Sequence, residues 1–399
     1  MTRHYAVAYL WTGHLGRMDT EFAYWVPNVS GGLVVSDWEM DTDWTYEYNL
    51  DLARTAEDVG FEYALAQARF FGSYGADRQL EALSTANALA AQTETLHVIG
   101  AVHPGLWEPG PLANFIATAD RISDGRFSIN VVSGWFKGEF TGFGQSWLAH
   151  DERYARSEEF IEAMKALWTE ERATYDGRFY TIGRDIDGFE GAPLEPKPVQ
   201  EPYPQVFQGG NSQAARKMAA RNADVLFING GSLQEIRAVI EDVEEYAAEF
   251  GTEPPRFAAN AFVIQRDTEA AAKETLEGII ENATDEAVEA FKEQVKQAGQ
   301  SSAEGEGMWA DSDVEDLVQY NDGFKTGLIG TDDQIVERIR KLDAIGIDIV
   351  LAGFLHYDEE LERFGETIIP RVEEAEPLDV DDIDGGDEVE EIAGAQVAR

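Results

Sequence analysis

Cysteine is absent from all 399 residues. That absence removes disulfides, thiolate nucleophiles and thiolate metal sites together, so the chemistry must use another group. Basic residues are scarce: 31 Lys and Arg stand against 76 Asp and Glu, for a formal net charge of −45. Such a chain repels nucleic-acid backbones and anionic membrane surfaces. The acids are spread over nearly the whole chain, the pattern of a surface adapted to high salt, where self-repulsion is screened to a Debye length of about 3 Å at 1 M. Long apolar runs are missing too. None approaches the ~18–20 residues that cross a bilayer, and Tyr5 to Trp11 is too short for a leader and lacks a small-residue cleavage pattern; a soluble, cytoplasmic protein is expected.

Reactive motifs are equally sparse. The six histidines (His4, His14, His97, His103, His150 and His356) include no pair at metal-ligand spacing, so no metal is expected. No Gly-x-Ser-x-Gly elbow occurs, and no Gly-x-Gly-x-x-Gly turn follows the first strand, which argues against serine hydrolysis and the usual dinucleotide site. A scaffold with so few reactive side chains points to a cofactor that brings the chemistry.

What the chain does have is a rhythm. Apolar residues make up 44% of it, in short runs that alternate with amphipathic stretches, as a parallel sheet wrapped in helices requires. Strands are expected at Phe22 to Val26, Tyr63 to Ala66, Leu96 to Val102, Phe127 to Val132, Val206 to Gln208, Val225 to Ile228, Ala258 to Ile264 and Ile347 to Gly353. Helices are expected near Tyr48 to Val59, Gln79 to Ala91, Leu112 to Ile122, Asp151 to Trp168, Ser212 to Arg221, Leu233 to Phe250, Asp332 to Ala344 and Glu359 to Glu373. Eight of each make an α/β fold of the closed (β/α)8, or TIM-barrel, type.

The expected organisation is an N-terminal extension at 1–20, with Met18 as an alternative start, a barrel at 21–373, and a tail at 374–399. Eleven acids and no base lie between Glu373 and Glu391, a composition expected to be disordered. Two insertions interrupt the rhythm. One, near 170–205, carries a hairpin signal around Asp176-Gly177 and prolines at 193, 196, 198, 202 and 204. The other, near 283–328, contains Glu304-Gly305-Glu306-Gly307 and is a candidate lid.

In an α/β barrel the chemistry sits where the strands end. Polar residues expected there are Asn28, Gln67, His103, Ser133 with Asn130 inside its strand, Asn211, Ser212 and His356. Gln208-Gly209-Gly210-Asn211-Ser212 ends a strand and opens a helix, so its backbone can approach a phosphate closely; it reads equally well as a simple N-cap. His150 and Tyr154 open another helix and share one face, offering two donors, while Asp151 reads as that helix's cap.

Six stretches carry a family resemblance: Phe22 to Ser36, Asn130 to Phe140, His150 to Phe160, Gln208 to Ser212, Gln319 to Thr331 and Leu351 to His356. Over about residues 20 to 373 the chain resembles the bacterial luciferase-like flavin monooxygenases, related to the alkanesulfonate monooxygenases. The first stretch and Tyr320 to Lys325 resemble the two-component branch that uses reduced FMN (FMNH2) and O2 on dimethyl sulfone, cleaving a C–S bond to methanesulfinate and formaldehyde for sulfur assimilation.

The resemblance implies FMN delivered by a separate NAD(P)H-dependent reductase, and a homo-oligomer, dimer or tetramer. It implies that His150, Tyr154, Gly210, Asn211 and Ser212 hold the phosphate and ribityl end, and that Gln67, Ala101 and Asn130 line the isoalloxazine. His356 and His103 become candidates for supplying a proton or hydrogen bond during oxygen transfer. Where alkanesulfonate enzymes clamp an anion with Arg, His and Tyr, this chain is expected to have Asn260, Phe262 and Phe354, which suits a small neutral substrate walled also by Asn28, Trp107 and Trp135. An alkanesulfonate or methanesulfonate substrate, an F420-dependent oxidoreductase and a non-catalytic flavin carrier remain the competing expectations.

Overall fold

In the computed structural model, the structure describes residues 18–72, 76–184, 188, 190–299, 318–380 and 383. Much of the acidic tail, most of the N-terminal extension and the Glu304 to Gly307 stretch lie outside them.

Eight parallel strands close a barrel: β1 (Glu21–Val26), β2 (Tyr63–Ala66), β3 (His97–Val102), β4 (Phe127–Val131), β7 (Val206–Gly209), β8 (Val225–Ile228), β9 (Arg256–Phe262) and β12 (Ile349–Gly353). Each pairs with its neighbours in chain order and β12 returns to β1, with Ala23 opposite both Tyr63 and Leu351. The period of two decides which side chains fill the barrel. Ala23, Leu65, Ile99, Ala101, Phe207, Phe227, Ala258 and Leu351 form the inner core, whereas Phe22, Tyr24 and Val26 face the helices.

The helices α1 (Tyr46–Asp58), α2 (Ala82–Ala90), α3 (Pro109–Ile122), α5 (His150–Thr169), α6 (Gln213–Asn222), α7 (Leu233–Phe250), α10 (Asp332–Ala344) and α11 (Tyr357–Thr367) surround the strands; a short α4 (Lys137–Gly142) precedes α5 and a short α12 (Ile369–Glu374) follows α11. Local chemistry sets their ends. Ser232 and Glu235 form a reciprocal capping box that starts α7, and Gly251, at φ 71°, stops it. The start of α5 differs from expectation: Ala149 is the N-cap residue, and Asp151 spends its carboxylate on His150 Nδ1 at 2.8 Å. None of the described helices is long and apolar enough to cross a membrane.

The first insertion is a hairpin of β5 (Tyr175–Asp176) and β6 (Thr181–Ile182). Its turn is fastened by Glu159, which accepts from the Arg178, Phe179 and Tyr180 amides. The proline-rich stretch that follows is anchored by buried Asp120, which accepts from Val199 N and Gln200 N.

The chain after β9 departs from expectation. The strand ends at Phe262, and Ile264–Gln265 (β10) forms a separate parallel pair with Ile329–Gly330 (β11). Between them lie two helices absent from the expected set, α8 (Glu269–Glu281) and α9 (Asp285–Gly299). The segment after β1 reaches across to this region: Val34 bridges Gln319, and Val35 N donates to Val318 O at 2.7 Å.

The barrel's N-terminal end carries a charged ring in which Arg256 pairs with Glu21 and Tyr63 donates to the same carboxylate at 3.2 Å. Beside it Glu62 accepts from Phe22 N at 2.7 Å. Burial, helped by the nearby Glu21 and Glu373 carboxylates, pushes the Glu62 carboxyl from 4.5 up to about 7. The folded state therefore binds the proton more tightly than the unfolded chain, so this group's contribution to stability declines as pH rises from about 4.5 to about 7. Glu62→Gln should raise Tm by a few degrees at pH 8, and by less at pH 5.5. An equal shift at both pH values in thermal scans would rule out this titration.

Candidate active site

A cleft of about 890 Å³, counting its open mouth, lies at the C-terminal ends of the strands. One wall is built from Gln67, Ala101 and Asn130, at or just after the ends of β2, β3 and β4, and runs to Gly209, the last residue of β7, and Gly210 beyond it. The other is aromatic and apolar: Trp25 from β1, Leu33 from the segment behind it, Phe227 from β8, Trp135 from the loop after β4, and Phe291 from α9.

The polar groups on the first wall are unfinished. Gln67 Nε2 and Asn130 Oδ1 are buried with no hydrogen-bond partner in the protein. Orphaned buried amides are costly, so a donor and an acceptor left open in one cleft mark a place for a ligand that offers both. Ala101 and Gly209 supply room: a Cβ added at Gly209 would have nothing within 4 Å. Asn28, expected on the substrate side, is fully buried. Its side chain donates to Leu80 O at 2.9 Å and Gln67 O at 3.2 Å and accepts from Gln67 N at 3.3 Å, so it sets the Gln67 loop instead of facing the cleft.

The glycine loop and the start of α5 meet. Gly210 has φ 132°, and a Cβ there would lie 3.1 Å from Tyr154 Oη and 3.0 Å from Ala215 Cβ. Ser212 caps α6 by accepting from Ala215 N at 3.3 Å, and its hydroxyl lies beside the Tyr154 phenol. Burial pushes the Tyr154 phenol up and keeps it a neutral donor. The His150 ring lies 4.9 Å from the Tyr154 ring. Asn211 contributes differently: its Oδ1 accepts from Asn229 N at 3.1 Å, tying this loop to the end of β8. Ser212 is thus the cap that the sequence allowed, and the capping leaves room for the phosphate reading as well, since a helix N-terminus flanked by neutral donors suits an anion.

At the far end Asn260 is locked. Trp25 Nε1 donates to its Oδ1 at 2.6 Å, and its Nδ2 donates to Asn321 O at 2.9 Å. Asn321 and Asp322 both adopt positive φ in a 3-10 segment (Tyr320–Thr326), which turns the Asn321 carbonyl towards Asn260 and Gly230.

Several expected site residues are not in the cleft. His103 is 2% exposed; its Nδ1 pairs with Val132 O at 2.8 Å, and its Nε2 lies 4.0 Å from Glu139. His356 precedes α11, 3.7 Å from Asp41. Neither histidine is among the residues that line the cleft, and neither are His150, Tyr154, Asn211 and Ser212, which lie beside its Gly210 end. Phe354 packs outside the barrel against Phe61, Tyr357 and Phe364, Phe262 is covered edge-on by Phe324 at 5.2 Å, and Trp107 packs on the main core. Sequence reasoning missed Trp25, Arg69, Phe227, Phe291, Gln319 and Asn321, which do line it.

The family profile of the luciferase-like monooxygenases matches residues 20–348. This chain belongs to that family. Among its members, the FMNH2-dependent dimethylsulfone monooxygenase of Pseudomonas putida is 53% identical over 356 residues, covering 89% of this chain and 96% of that protein. The protein of the same name from Pseudomonas fluorescens (strain Pf0-1) is 51% identical over 362 residues, covering 91% and 97%. Among solved structures, a riboflavin lyase with modified FMN superposes with a TM-score of 0.76 at 19% identity, covering 90% of this chain and 93% of that one. At that identity the likeness speaks for the barrel alone. This luciferase-like barrel shares its strand-end cleft with the general rule for its architecture.

Proposed function

We propose that this protein is an FMNH2-dependent monooxygenase that converts dimethyl sulfone and O2 to methanesulfinate and formaldehyde, taking its reduced flavin from an NAD(P)H-dependent reductase. The observation that carries the reading is the cleft's division into a wall with an open donor and an open acceptor beside a glycine loop, and a largely aromatic and apolar far wall. The relatives' names support the same chemistry.

FMNH2, when bound, supplies the electrons that activate O2. Everything else falls to the chain. Gln67 and Asn130 would meet the hydrogen-bonding edge of the ring, over the space left by Ala101. Gly210, Ser212 and Tyr154 would hold the phosphate, with His150 behind Tyr154 and Asn211 fixing the loop. Trp25, Trp135, Phe227 and Phe291 keep water from the reacting atoms. Asn260, held by Trp25 and Asn321, presents a neutral surface that suits an uncharged sulfone.

We place the protein in the cytoplasm, in sulfur assimilation, as a homo-oligomer, in a cell of high internal salt; the last follows from 76 acids against 31 bases. The decisive assay combines the chain with FMN, a flavin reductase, NAD(P)H and dimethyl sulfone at about 1 M KCl. Methanesulfinate and formaldehyde should form in equal amounts. Turnover of methanesulfonate with none of dimethyl sulfone would sink the substrate assignment, and hydride transfer with F420 instead of FMNH2 would sink the reaction class.

A further inference from the structure

The period of two along β9 turns Asn260 to the inside of the barrel, in phase with Ala258, and β9 stands four strands round the ring from β3, so Asn260 faces Ala101 across the cleft. A second amide lies beside it. A Cβ at Gly323 would sit 2.6 Å from Gln319 Oε1 and 3.0 Å from Asn260 Nδ2, so the two side chains are neighbours over that glycine. Both line the cleft, and both are almost sealed, at 1% and 2% exposed. Gln319 is fixed through its backbone too: it bridges Val34 and caps the Tyr320–Thr326 segment.

Their partners decide which way round each amide points. A backbone or indole N–H can only donate, so Gly323 N takes Gln319 Oε1 and Trp25 Nε1 takes Asn260 Oδ1. Asn260 Nδ2 gives one hydrogen to the Asn321 carbonyl and keeps a second. Gln319 Nε2 keeps both, with no acceptor for either among the described residues. Both amide oxygens are thus engaged, and what the pair leaves over is N–H without charge. A surface of that kind recognises a neutral group that accepts and does not donate, and unmet N–H groups in so closed a place call for one.

Resting on the reading above, we propose that Gln319 is a substrate-binding residue, its Nε2 donating to one sulfonyl oxygen while Asn260 Nδ2 donates to the other. A sulfone meets that demand: its two oxygens accept, its methyl groups are inert, and it has no N–H or O–H to set against the wall. Sulfur in a sulfone is tetrahedral, so holding both oxygens on the β9 side turns the methyl groups the other way, towards Gln67, Ala101 and Asn130. The carbon to be oxidised then faces the wall assigned to the flavin ring, and the two amides set orientation as well as affinity. Selectivity follows from the number of oxygens. Dimethyl sulfoxide can use one donor, and dimethyl sulfide neither.

The test follows the methyl NMR signals of dimethyl sulfone, dimethyl sulfoxide and dimethyl sulfide titrated with the protein loaded with oxidised FMN, in wild type, Gln319→Glu and Gln319→Leu. In wild type each missing oxygen should weaken binding roughly three- to tenfold. Gln319→Glu keeps an oxygen for Gly323 N and replaces the free N–H pair by a carboxylate oxygen, so it should bind the sulfone at least about tenfold more weakly and raise KM in the coupled assay. Gln319→Leu should lose roughly three- to tenfold. Both variants should bind the sulfide and FMN as wild type does, whereas a merely structural role would weaken all three ligands alike. Unchanged sulfone affinity in Gln319→Glu overturns the proposal, and so does an equal loss for sulfone and sulfide. Should neither variant fold, wild type still decides: sulfide bound as tightly as sulfone overturns it. Failure of the two readings is separable. If wild type binds the sulfone through Gln319 but yields no methanesulfinate, the reaction reading falls and this site stands. If wild type yields methanesulfinate and Gln319→Glu binds the sulfone unchanged, only this site falls.

Discussion

Gly210→Val is expected to cost the protein its flavin while leaving the barrel folded. Gly210 sits at φ 132°, where an L side chain is strained, and its missing Cβ is what lets the loop lie against Tyr154 Oη and Ala215 Cβ, 3.1 and 3.0 Å from the position a Cβ would take. A residue forced into such backbone costs of order 1–3 kcal/mol. The loop can relieve that strain only by moving, and moving it displaces the N–H groups at the start of α6 from the phosphate. FMN affinity should fall by at least about a hundredfold in a fluorescence titration, since the strain and the lost donors act together. Far-UV circular dichroism should stay unchanged, because Gly210 lies beyond the last residue of β7. Ser212→Ala is the useful contrast. It removes one cap, normally worth ~0.5–2 kcal/mol, and one phosphate donor while leaving the backbone path intact, so its loss of affinity should be smaller. If Gly210→Val binds FMN as wild type does, the cradle is not where the phosphate lies.

Salt should change stability more than most single substitutions. The chain carries a net −45, and its helices show how that charge is placed. Along α7, Glu235, Glu241, Asp242, Glu244, Glu245 and Glu249 face a single base, Arg237. Along α11, Asp358, Glu359, Glu360, Glu362 and Glu366 stand with Arg363 alone. Like charges three or four residues apart on a helix each cost about 0.2–0.5 kcal/mol, and both helices hold several such acidic pairs. The Debye length shrinks from about 10 Å at 0.1 M salt to about 3 Å at 1 M, which leaves only the closest pairs interacting. Tm is therefore expected to rise by on the order of 10 °C between these concentrations of KCl. KCl is the right salt because sulfate would strengthen apolar burial independently of charge. A flat or falling Tm over that range would show that the acidic surface is not under net repulsion.

Much of the architecture was legible because it depends on periodicity. Runs such as Tyr63–Ala66 and Val225–Ile228 are short, apolar and spaced by amphipathic stretches, and eight of them can satisfy their edges only by closing. The helices α8 and α9 escaped because nothing demanded them: eight strands and eight helices already completed the barrel. Yet α9 delivers Phe291 to the cleft. A phenylalanine on the apolar face of a helix reads as ordinary packing, and only the position of α9 over the mouth gives it another role.

The two walls of the cleft differ in the same way. Gln67, Ala101, Asn130 and Gly210 line the cleft because they sit at strand ends, and a strand end has a fixed direction in a barrel. His103 and His356 lie only a residue or a few beyond their strands, but loops have no such direction. His103 is turned away by its bond to the Val132 carbonyl, and His356 by the start of α11. The segments Phe22 to Ser36 and Gln319 to Thr331, almost three hundred residues apart, touch through the Val34 to Gln319 bridge and together fix Asn260 from both sides.

By itself, then, the sequence determined the closed parallel barrel, the glycine loop that leads from a strand into a helix, and the excess of acidic charge, all of which follow from local pattern and composition. The tertiary structure alone decided which side chains share the cleft. It brought Trp25, Asn260 and Asn321 into one hydrogen-bonded set, took the histidines and Phe354 out, and set Arg69 on the aromatic wall, because those outcomes depend on contacts between segments that no local periodicity encodes.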